Sequence, residues 1–344
     1  MLTDESLHRI LRGLPRLSIG VLGDLFLDRY LDIDASLTEP SLETGLDAYQ
    51  VIRVRSSPGA AGTVVNNLAA LGVGHVHVVS VIGDDGEGYE LRQALCALRV
   101  VDLAQLTITA DRRTPTYTKP MLLEAGLPAR ELNRLDIKNR IPLPGELEKD
   151  ILRALDQIWP KVDALIVLDQ ISEPNCGVVS DRLRARLAEL GEAEPGKLIL
   201  ADSRERIGEF RRVASKPNQT ECVGAVGSDS SGIEDAALSL AAQTGRPVFC
   251  TCGEQGILLA EAGPEPSKLI RVPGYPVDGP IDIVGAGDST SAAIACAVAS
   301  GANLCEAAGF GCLVASITVQ QIGTTGTATP EQIRSRWQET QCRN

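Results

Sequence analysis

The feature that most constrains the fold is a regular alternation of short apolar runs with segments of helical spacing. The apolar runs cover residues 17–22, 75–82, 164–168, 198–201 and 247–252. Segments with helical spacing lie between them at 63–71, 87–98, 145–159 and 178–190. Short buried strands that alternate with helices pair in parallel. The pattern therefore predicts an α/β fold with a doubly wound, mostly parallel sheet flanked by helices.

Two stretches, at about 30–55 and 113–136, break this alternation and are rich in residues typical of strands. We expect them to supply the strands of a small β-sheet. Ligands of open α/β sheets bind outside the carboxyl ends of the strands, so this sheet can act as a lid. A pair of surface hairpins is the alternative. The chain is then a single domain, 1–344, and the exposed edges of the lid strands predict a homodimer through the lid.

Charge and composition exclude several classes of protein. The net charge is −12 and the basic residues are scattered, which argues against a nucleic-acid partner or an acidic membrane surface. No apolar run reaches the roughly 20 residues of a membrane span, and residues 1–16 lack the apolar core of a signal peptide. Most of the nine cysteines lie in apolar stretches, where a reduced thiol packs as a small hydrophobe. We expect a soluble cytoplasmic protein that begins near Met1.

The stretch Asp282 to Asp288, DIVGAGD, carries the most chemical information, and a run of small apolar residues that reads as a buried helix follows it. Backbone N–H groups of Gly285, Ala286 and Gly287 at a helix start can stabilise oxygen charge during phosphoryl transfer. Asp288 is then placed to accept the proton of an attacking hydroxyl. A plain glycine-rich turn with an N-capping aspartate is the alternative.

This stretch resembles the second signature of the ribokinase-like (PfkB-type) carbohydrate kinase family, and other parts of that family's pattern follow in the same order. Residues 58–63 with 67–72 resemble its first signature. Residues 216–221 resemble its Asn-x-x-Glu element, 251–256 its Thr-x-Gly-x-x-Gly loop and 323–326 its closing stretch. The resemblance extends from Leu17 to about Trp337. It implies the ribokinase-like fold with a β-sheet lid, and a transferase that uses ATP and Mg²⁺.

The resemblance also implies roles for individual residues on the nucleotide side. The implied nucleotide-binding residues are Asn218, Glu221, Thr251, Gly253, Gly256, Gly323 and Thr324. Glu221 would hold Mg²⁺ through water, and Asp282 is a candidate for a monovalent-cation loop. Taken alone, Asn218 and Glu221 have the spacing of an ordinary helix cap.

Within the family the likeness is greatest to heptose-phosphate kinases, carried by residues 23–30, 116–119, 134–136, 252–256 and 321–324. The implied sugar-binding residues are Asp24, Asp28, Gly59, Thr63, Asn67, Lys119 and Arg134. Asp24 would accept hydrogen bonds from sugar hydroxyls. Lys119 and Arg134 would bind a substrate phosphate, although single cations on strands are more often solvated.

The pattern departs from the family at several positions around the sugar and in the cation or phosphate loop. Ala60 replaces a glycine, Thr63 replaces an asparagine, and Ile283 and Val284 stand where a threonine is usual. The sequence thus predicts an ATP-dependent kinase for a hydroxyl of a sugar or sugar phosphate. The alternatives are a kinase for a nucleoside or ketose phosphate and a catalytically idle sugar or nucleotide sensor. A dinucleotide-dependent dehydrogenase is disfavoured, because no G-x-G-x-x-G follows the first strand.

Overall fold

The structure is a computed structural model that describes residues 1–227, 232–262 and 268–342. Its strands in chain order are β1 (Ser18–Gly23), β2 (Leu25–Asp34), β3 (Glu39–Pro40), β4 (Asp47–Ala48), β5 (Val51–Ala60), β6 (His75–Gly83), β7 (Val101–Thr109), β8 (Thr116–Leu123), β9 (Arg130–Glu131), β10 (Leu135–Ile137), β11 (Ala164–Asp169), β12 (Leu198–Ser203), β13 (Ala214–Ser215), β14 (Val248–Thr251), β15 (Ile257–Glu261) and β16 (Lys268–Val272).

Six of the described helices lie between these strands, as the alternation predicts, and the other four precede the first strand or follow the last. They are α1 (Asp4–Gly13), α2 (Ala61–Leu71), α3 (Gly86–Cys96), α4 (Gly145–Ile158), α5 (Asp181–Ala193), α6 (Gln219–Val226), α7 (Ile233–Thr244), α8 (Ala286–Ala299), α9 (Leu304–Thr318) and α10 (Pro330–Cys342). None of these described helices is long and apolar enough to cross a membrane.

A nine-stranded sheet forms the centre, in the order β16-β15-β14-β13-β12-β11-β1-β6-β7. The strands from β14 to β7 run parallel, and β15 and β16 join as an antiparallel edge. Side chains of β11 alternate between two apolar cores, with Ala164, Ile166 and Leu168 in one and Leu165 and Val167 in the other. A strand covered on both faces is the signature of a doubly wound sheet. The predicted fold class is confirmed.

The strand order reverses around β1, because β6 pairs with one side of it and β11 with the other. In open α/β sheets ligands bind at such a switch point, outside the carboxyl ends of the strands. The carboxylates of Asp24, Asp169 and Asp202 lie at the ends of β1, β11 and β12. This edge is where the candidate site is found.

The predicted second sheet is present, with the order β10-β8-β2-β5 and with β9 paired to β8. It is mixed, because β2 runs antiparallel to β5 and parallel to β8. Its long strands begin and end outside the predicted stretches, since β2 starts at Leu25 and β5 ends at Ala60. The residues between them form a separate ribbon, β3-β4.

The register of this small sheet fixes which side chains share a face. Asp28 stands opposite Ser57 and Tyr117, and Tyr30 stands opposite Arg55 and Lys119. Paired residues project from the same face of a sheet. We call the face that carries these side chains the polar face.

Ion pairs attach the opposite face to α3. Arg29 contacts Glu87 at 3.3 Å and Glu90 at 2.5 Å, and the Ser56 hydroxyl donates to Glu90 at 2.7 Å. These groups are partly exposed to solvent. The small sheet is therefore held to the body through charged contacts at this point.

Candidate functional site

Asp288 lies in the first turn of α8, whose N-cap is Gly285 and has no side-chain cap. Asp288 is the third residue of the helix. Its carboxylate accepts no hydrogen bond from the described part of the chain. The capping interpretation of this aspartate therefore does not describe the structure, and its oxygens are open to a ligand.

The helix start also presents backbone donors. The Ala286 N–H donates to Ile283 O at 3.1 Å, so the amides of Gly287 and Asp288 remain as the first-turn donors of the helix. Gly285 has a φ of +79°, a conformation that glycine adopts without strain. A Cβ at Gly285 would lie 3.3 Å from Thr325 and 3.4 Å from Thr63. The predicted anion-binding turn is thus packed between the closing stretch and the start of α2.

A buried ion pair lies beside this turn. The Lys216 ammonium is 2.9 Å from Asp202 Oδ2, which also accepts from the Ser291 hydroxyl at 3.2 Å. A Cβ at Gly287 would lie 3.4 Å from Lys216 Nζ, so the ammonium faces the anion-binding turn. Burial alone would lower the pKa of Lys216, but Asp202, Glu221 and Asp288 raise it. The lysine is therefore a permanent cation at this position.

The pKa of Asp288 is raised to about 7. Burial in the surrounding protein is the largest cause, and the negative charge of Asp202 adds to it. Lys216 and Arg204 oppose the rise, and Asp28 contributes to it. A carboxylate with a pKa near neutral pH has the basicity that a general base requires.

The structure brings the Asn-x-x-Glu element next to Thr251. Asn218 and Glu221 form a capping box, with Glu221 N–H donating to Asn218 Oδ1 at 2.9 Å and Asn218 N–H to Glu221 Oε2 at 2.8 Å. Asn218 forms a parallel bridge to Thr251. Burial, with Asp202 as a further cause, raises the pKa of Glu221. The cap occupies one carboxylate oxygen, and Oε1 remains open to a metal-bound water.

The glycines of the predicted nucleotide loop are required by its backbone. Gly253 and Gly256 have φ values of +57° and +87°. A Cβ at Gly256 would lie 2.1 Å from Val272 O, which is too close for any side chain. Gly323 also has a positive φ, of +74°.

Asp282 links two loops of the candidate site. Its Oδ1 accepts from Val284 N–H at 3.0 Å and its Oδ2 from Gly323 N–H at 2.9 Å. These hydrogen bonds tie the loop that carries Asp288 to the closing stretch. Each carboxylate oxygen can accept more than one contact, so the role of Asp282 in a monovalent-cation loop stays a prediction.

Asp24 also requires a correction. The side chain is buried, and its carboxylate accepts from the N–H groups of Gln170, Ile171 and Val178 at 2.9, 3.2 and 2.7 Å. Burial is the main cause that raises its pKa to about 6. Strand β1 ends inside the protein, so this aspartate holds the 170–178 loop and does not face a sugar.

Asp28 and Gly59 meet on the polar face. Asp28 Oδ1 lies 3.2 Å from the Lys119 ammonium, which also donates to the Tyr30 hydroxyl at 3.1 Å. A Cβ at Gly59 would lie 2.5 Å from Asp28 Oδ2. Of the two candidate aspartates for the sugar, Asp28 is the one whose negative charge contributes to the raised pKa of Asp288.

The other candidate sugar residues differ in accessibility. Thr63 and Asn67 are buried, and Asn67 Nδ2 donates to Thr63 O at 2.9 Å while its Oδ1 has no partner in the described chain. Arg134 pairs with Asp136 at 2.7 and 2.9 Å and stacks on the Tyr117 ring. The positive charges of Lys119 and Arg134 are thus both matched by a carboxylate.

Sequence reasoning did not identify Lys216, Asp202 or Arg204. The Arg204 side chain is exposed, and its Nε donates to Gln170 Oε1 at 2.8 Å. Its positive charge acts to lower the pKa of both Asp288 and Tyr117. A usable signal was present for Asp202, which directly follows a predicted parallel strand. Lys216 lies two residues before Asn218, within a stretch that was already singled out.

Comparisons with known proteins agree with this geometry. Residues 213–332 match the profile of the pfkB family carbohydrate kinases. The chain is 30% identical over 340 residues to the bifunctional protein HldE of Pelobacter propionicus, covering 96% of this chain and 65% of that protein. It is 31% identical over 331 residues to HldE of Caulobacter sp., with coverages of 93% and 63%. The chain therefore spans less than two thirds of the length of these curated relatives.

Solved structures share the fold. A ribokinase from Arabidopsis thaliana, complexed with ribose and ATP, superposes with a TM-score of 0.66 at 18% identity, covering 93% of this chain and 98% of that one. The phosphofructokinase-2 of Escherichia coli, in complex with potassium, gives 0.67 at 18% identity, with 94% and 99% covered. The fold is therefore the ribokinase-like fold. The match of residues 213–332 to the pfkB family carbohydrate kinases agrees with the motifs singled out in the sequence.

Proposed function

We propose that this protein transfers the γ-phosphoryl group of ATP to a hydroxyl of a sugar or sugar phosphate, and that Asp288 is the general base. The observation that carries the proposal is the open carboxylate of Asp288 in the first turn of α8, beside free backbone donors and the Lys216 ammonium. A binding module has no need of a base with a pKa of about 7 at this position.

In the proposed reaction the acceptor hydroxyl gives its proton to Asp288 while its oxygen bonds to the γ-phosphorus. The bond between that phosphorus and the β,γ-bridging oxygen breaks, which releases ADP. Negative charge on the transferring oxygens is stabilised by the Gly287 and Asp288 amides and by Lys216. These donors are fixed by a helix and a buried ion pair, so they need no reorganisation during the reaction.

The nucleotide is proposed to lie against Thr251, Gly253 and Gly256, with Gly323 and Thr324 of the closing stretch beside it. Mg²⁺ fits near Glu221, because Oε1 of this half-buried carboxylate is open and hard cations prefer oxygen ligands and water. When bound, Mg²⁺ supplies charge neutralisation to the phosphate oxygens. Asn218 orients Glu221 through the capping box.

The acceptor is proposed to lie between Asp288 and the polar face of the small sheet, which then acts as the lid. Asp28, held by Lys119 and close to Gly59, is the carboxylate that would accept from sugar hydroxyls. The motif likeness to heptose-phosphate kinases makes a sugar that already carries phosphate the first acceptor to test.

Exposed apolar side chains on the small sheet and its ribbon support a homodimer through the lid. Leu46, Tyr49, Val51, Ile52 and Val54 all expose more than two fifths of their surface. Apolar edge strands of this kind invite pairing with a second copy. Sedimentation at micromolar concentration should show a dimer, and a monomer throughout that range would contradict this proposal. Nine free cysteines support placing the protein in the reducing cytoplasm.

The activity is tested by assaying ADP release with a panel of sugars and sugar phosphates. With the best acceptor, Asp288→Asn should lower kcat by about 10²–10⁴-fold at nearly unchanged nucleotide affinity, because the base is lost while the shape is kept. Parental turnover in this variant would overturn the proposal. Glu146→Gln, on an exposed first turn of α4, is a matched control that should have no effect.

A further inference from the structure

A polar cleft separates the small sheet from the closing stretch. It has a volume of about 100 Å³. Its walls are formed by Tyr30, Arg55, Ser56, Ser57, Gly323, Thr324 and Thr325. None of these residues is acidic, and among them only Gly323 and Thr324 have been named above as ligand-binding residues. The cleft therefore offers a site whose ligand is not accounted for.

Arg55 is oriented so that part of its guanidinium stays available. Its Nε and Nη2 donate to Asp32 at 3.1 and 2.8 Å, and it lies 4.8 Å above the ring of Tyr30. Nη1 has no acceptor among the residues that the structure describes. The side chain is thus fixed by Asp32 and Tyr30, and one NH₂ group remains to donate to a ligand.

Hydroxyl groups surround this cation. The side chains of Ser57, Thr324 and Thr325 make no hydrogen bond within the described chain. Within the described part of the chain, Arg55 forms an ion pair with Asp32, and the guanidinium already engages that carboxylate. A guanidinium with several hydroxyl donors and no free carboxylate matches the oxygens of a phosphate group.

The position of the cleft connects it to the acceptor site. Thr325 packs on Gly285 of the anion-binding turn, with 3.3 Å between the threonine side chain and a Cβ built on the glycine. On the other wall, Tyr30 accepts a hydrogen bond from Lys119, which pairs with Asp28. An acceptor held between Asp28 and Asp288 therefore has the cleft beside it.

We propose that this cleft binds a phosphate group at the end of the acceptor remote from the reacting hydroxyl, and that Arg55 determines the preference for a phosphorylated acceptor. The inference rests on the proposed function. It assigns the acceptor phosphate to Arg55, where the sequence had suggested Lys119 and Arg134. Arg55 lines the cleft, whereas Lys119 and Arg134 are not among the residues that form its walls.

The test compares each sugar with its own phosphate ester as acceptor. For the parent, kcat/KM should be at least tenfold higher for the phosphate ester. Arg55→Gln should reduce this ratio by about tenfold or more, the effect of one charge-assisted hydrogen bond, through a higher KM for the ester. The variant should leave kcat/KM for the plain sugar and the KM for ATP unchanged.

Two further variants sharpen the comparison. The double variant Asp32→Asn with Arg55→Gln avoids an unpaired carboxylate and should show the same loss of preference. Arg53→Gln removes a neighbouring exposed arginine of β5 that does not line the cleft, so the ratio should stay at the parental value. An unchanged ratio in both Arg55 variants would overturn the inference. A rise in the KM for ATP instead would assign the cleft to the nucleotide and would also overturn it.

A binding measurement separates this inference from the proposed activity. Inorganic phosphate should raise the melting temperature of the parent more than that of Arg55→Gln, because a ligand of the folded state stabilises it and the variant keeps only the anion-binding turn. If no acceptor is turned over but this difference is seen, the proposed function fails and the phosphate site stands. Equal stabilisation of both proteins would place the phosphate elsewhere and contradict the inference.

Discussion

The ammonium of Lys216 lies 2.9 Å from the carboxylate of Asp202 and faces the turn that carries Asp288. The pair is almost fully shielded from solvent. Asp202 raises the pKa of Asp288, and Lys216 lowers it. The charge state of the proposed base therefore depends on Asp202 near the end of β12 and on Lys216, which directly follows the neighbouring strand β13.

Lys216→Met should shift the acid limb of the pH profile. A base acts only when deprotonated, so kcat/KM falls below its pKa. Removing the positive charge raises the pKa of Asp288 further, and the acid limb should move to higher pH. Profiles of kcat/KM from pH 5.5 to 9 measure the shift. Lys216→Arg keeps the charge and should keep the limb in place, and an unmoved limb in Lys216→Met would contradict the coupling.

Asp288→Asn should make the protein more stable above neutral pH. The folded pKa of about 7 exceeds the unfolded value of 3.8, so the folded state resists deprotonation. The parent therefore loses stability between about pH 4 and pH 7, and the asparagine variant does not. In urea unfolding at pH 8, Asp288→Asn should have a higher free energy of unfolding than the parent. At pH 5 this difference should be smaller. A loss of stability at pH 8 would mean that Asp288 is structural.

Ala60→Gly should stabilise the protein. Ala60 has φ and ψ of 52° and −119°, a region that glycine occupies without strain. Relief of this strain is worth about 1 kcal/mol in the free energy of unfolding. Ala69→Gly, within α2, provides the contrast, because it should cost about 0.5–1 kcal/mol. Chemical denaturation measures both, and a destabilised Ala60→Gly would contradict the strain.

Gly59→Ala should impair acceptor binding. Its Cβ would lie 2.5 Å from Asp28 Oδ2, so the carboxylate must move away from Lys119. The KM for the acceptor should rise at least tenfold, while the KM for ATP stays near the parental value. Gly145→Ala, where a Cβ meets nothing within 4 Å, should leave both constants unchanged. An unaltered acceptor KM in Gly59→Ala would exclude Asp28 from the sugar site.

Glu221→Gln separates metal binding from helix capping. Glutamine preserves the capping box with Asn218 but removes the charge that attracts a hydrated cation. The Mg²⁺ concentration for half-maximal turnover should rise while the melting temperature stays within about a degree of the parent. Glu221→Ala should lower both turnover and stability. Parental Mg²⁺ dependence in Glu221→Gln would leave Glu221 with the capping role alone.

The fold could be predicted from the sequence because strands buried on both faces leave continuous apolar runs. The proposed catalytic loop could also be singled out from the sequence, since Gly285 and Asp288 belong to a short local motif. Asp24 was assigned wrongly, because its partners Gln170 and Val178 are about 150 residues away and no local pattern reveals them. The cleft at Arg55 could not be predicted from the sequence for the same reason. Its walls come from β5 and from residues 323–325, which are far apart along the chain.

The charged attachment of the small sheet to α3 has a mechanical consequence. Arg29 and Glu87 keep a small part of their side-chain surface in contact with water while they pair, and Glu90 keeps a larger part. Dissolved ions compete with such pairs, so ionic strength acts as an external control on how tightly the sheet is fastened.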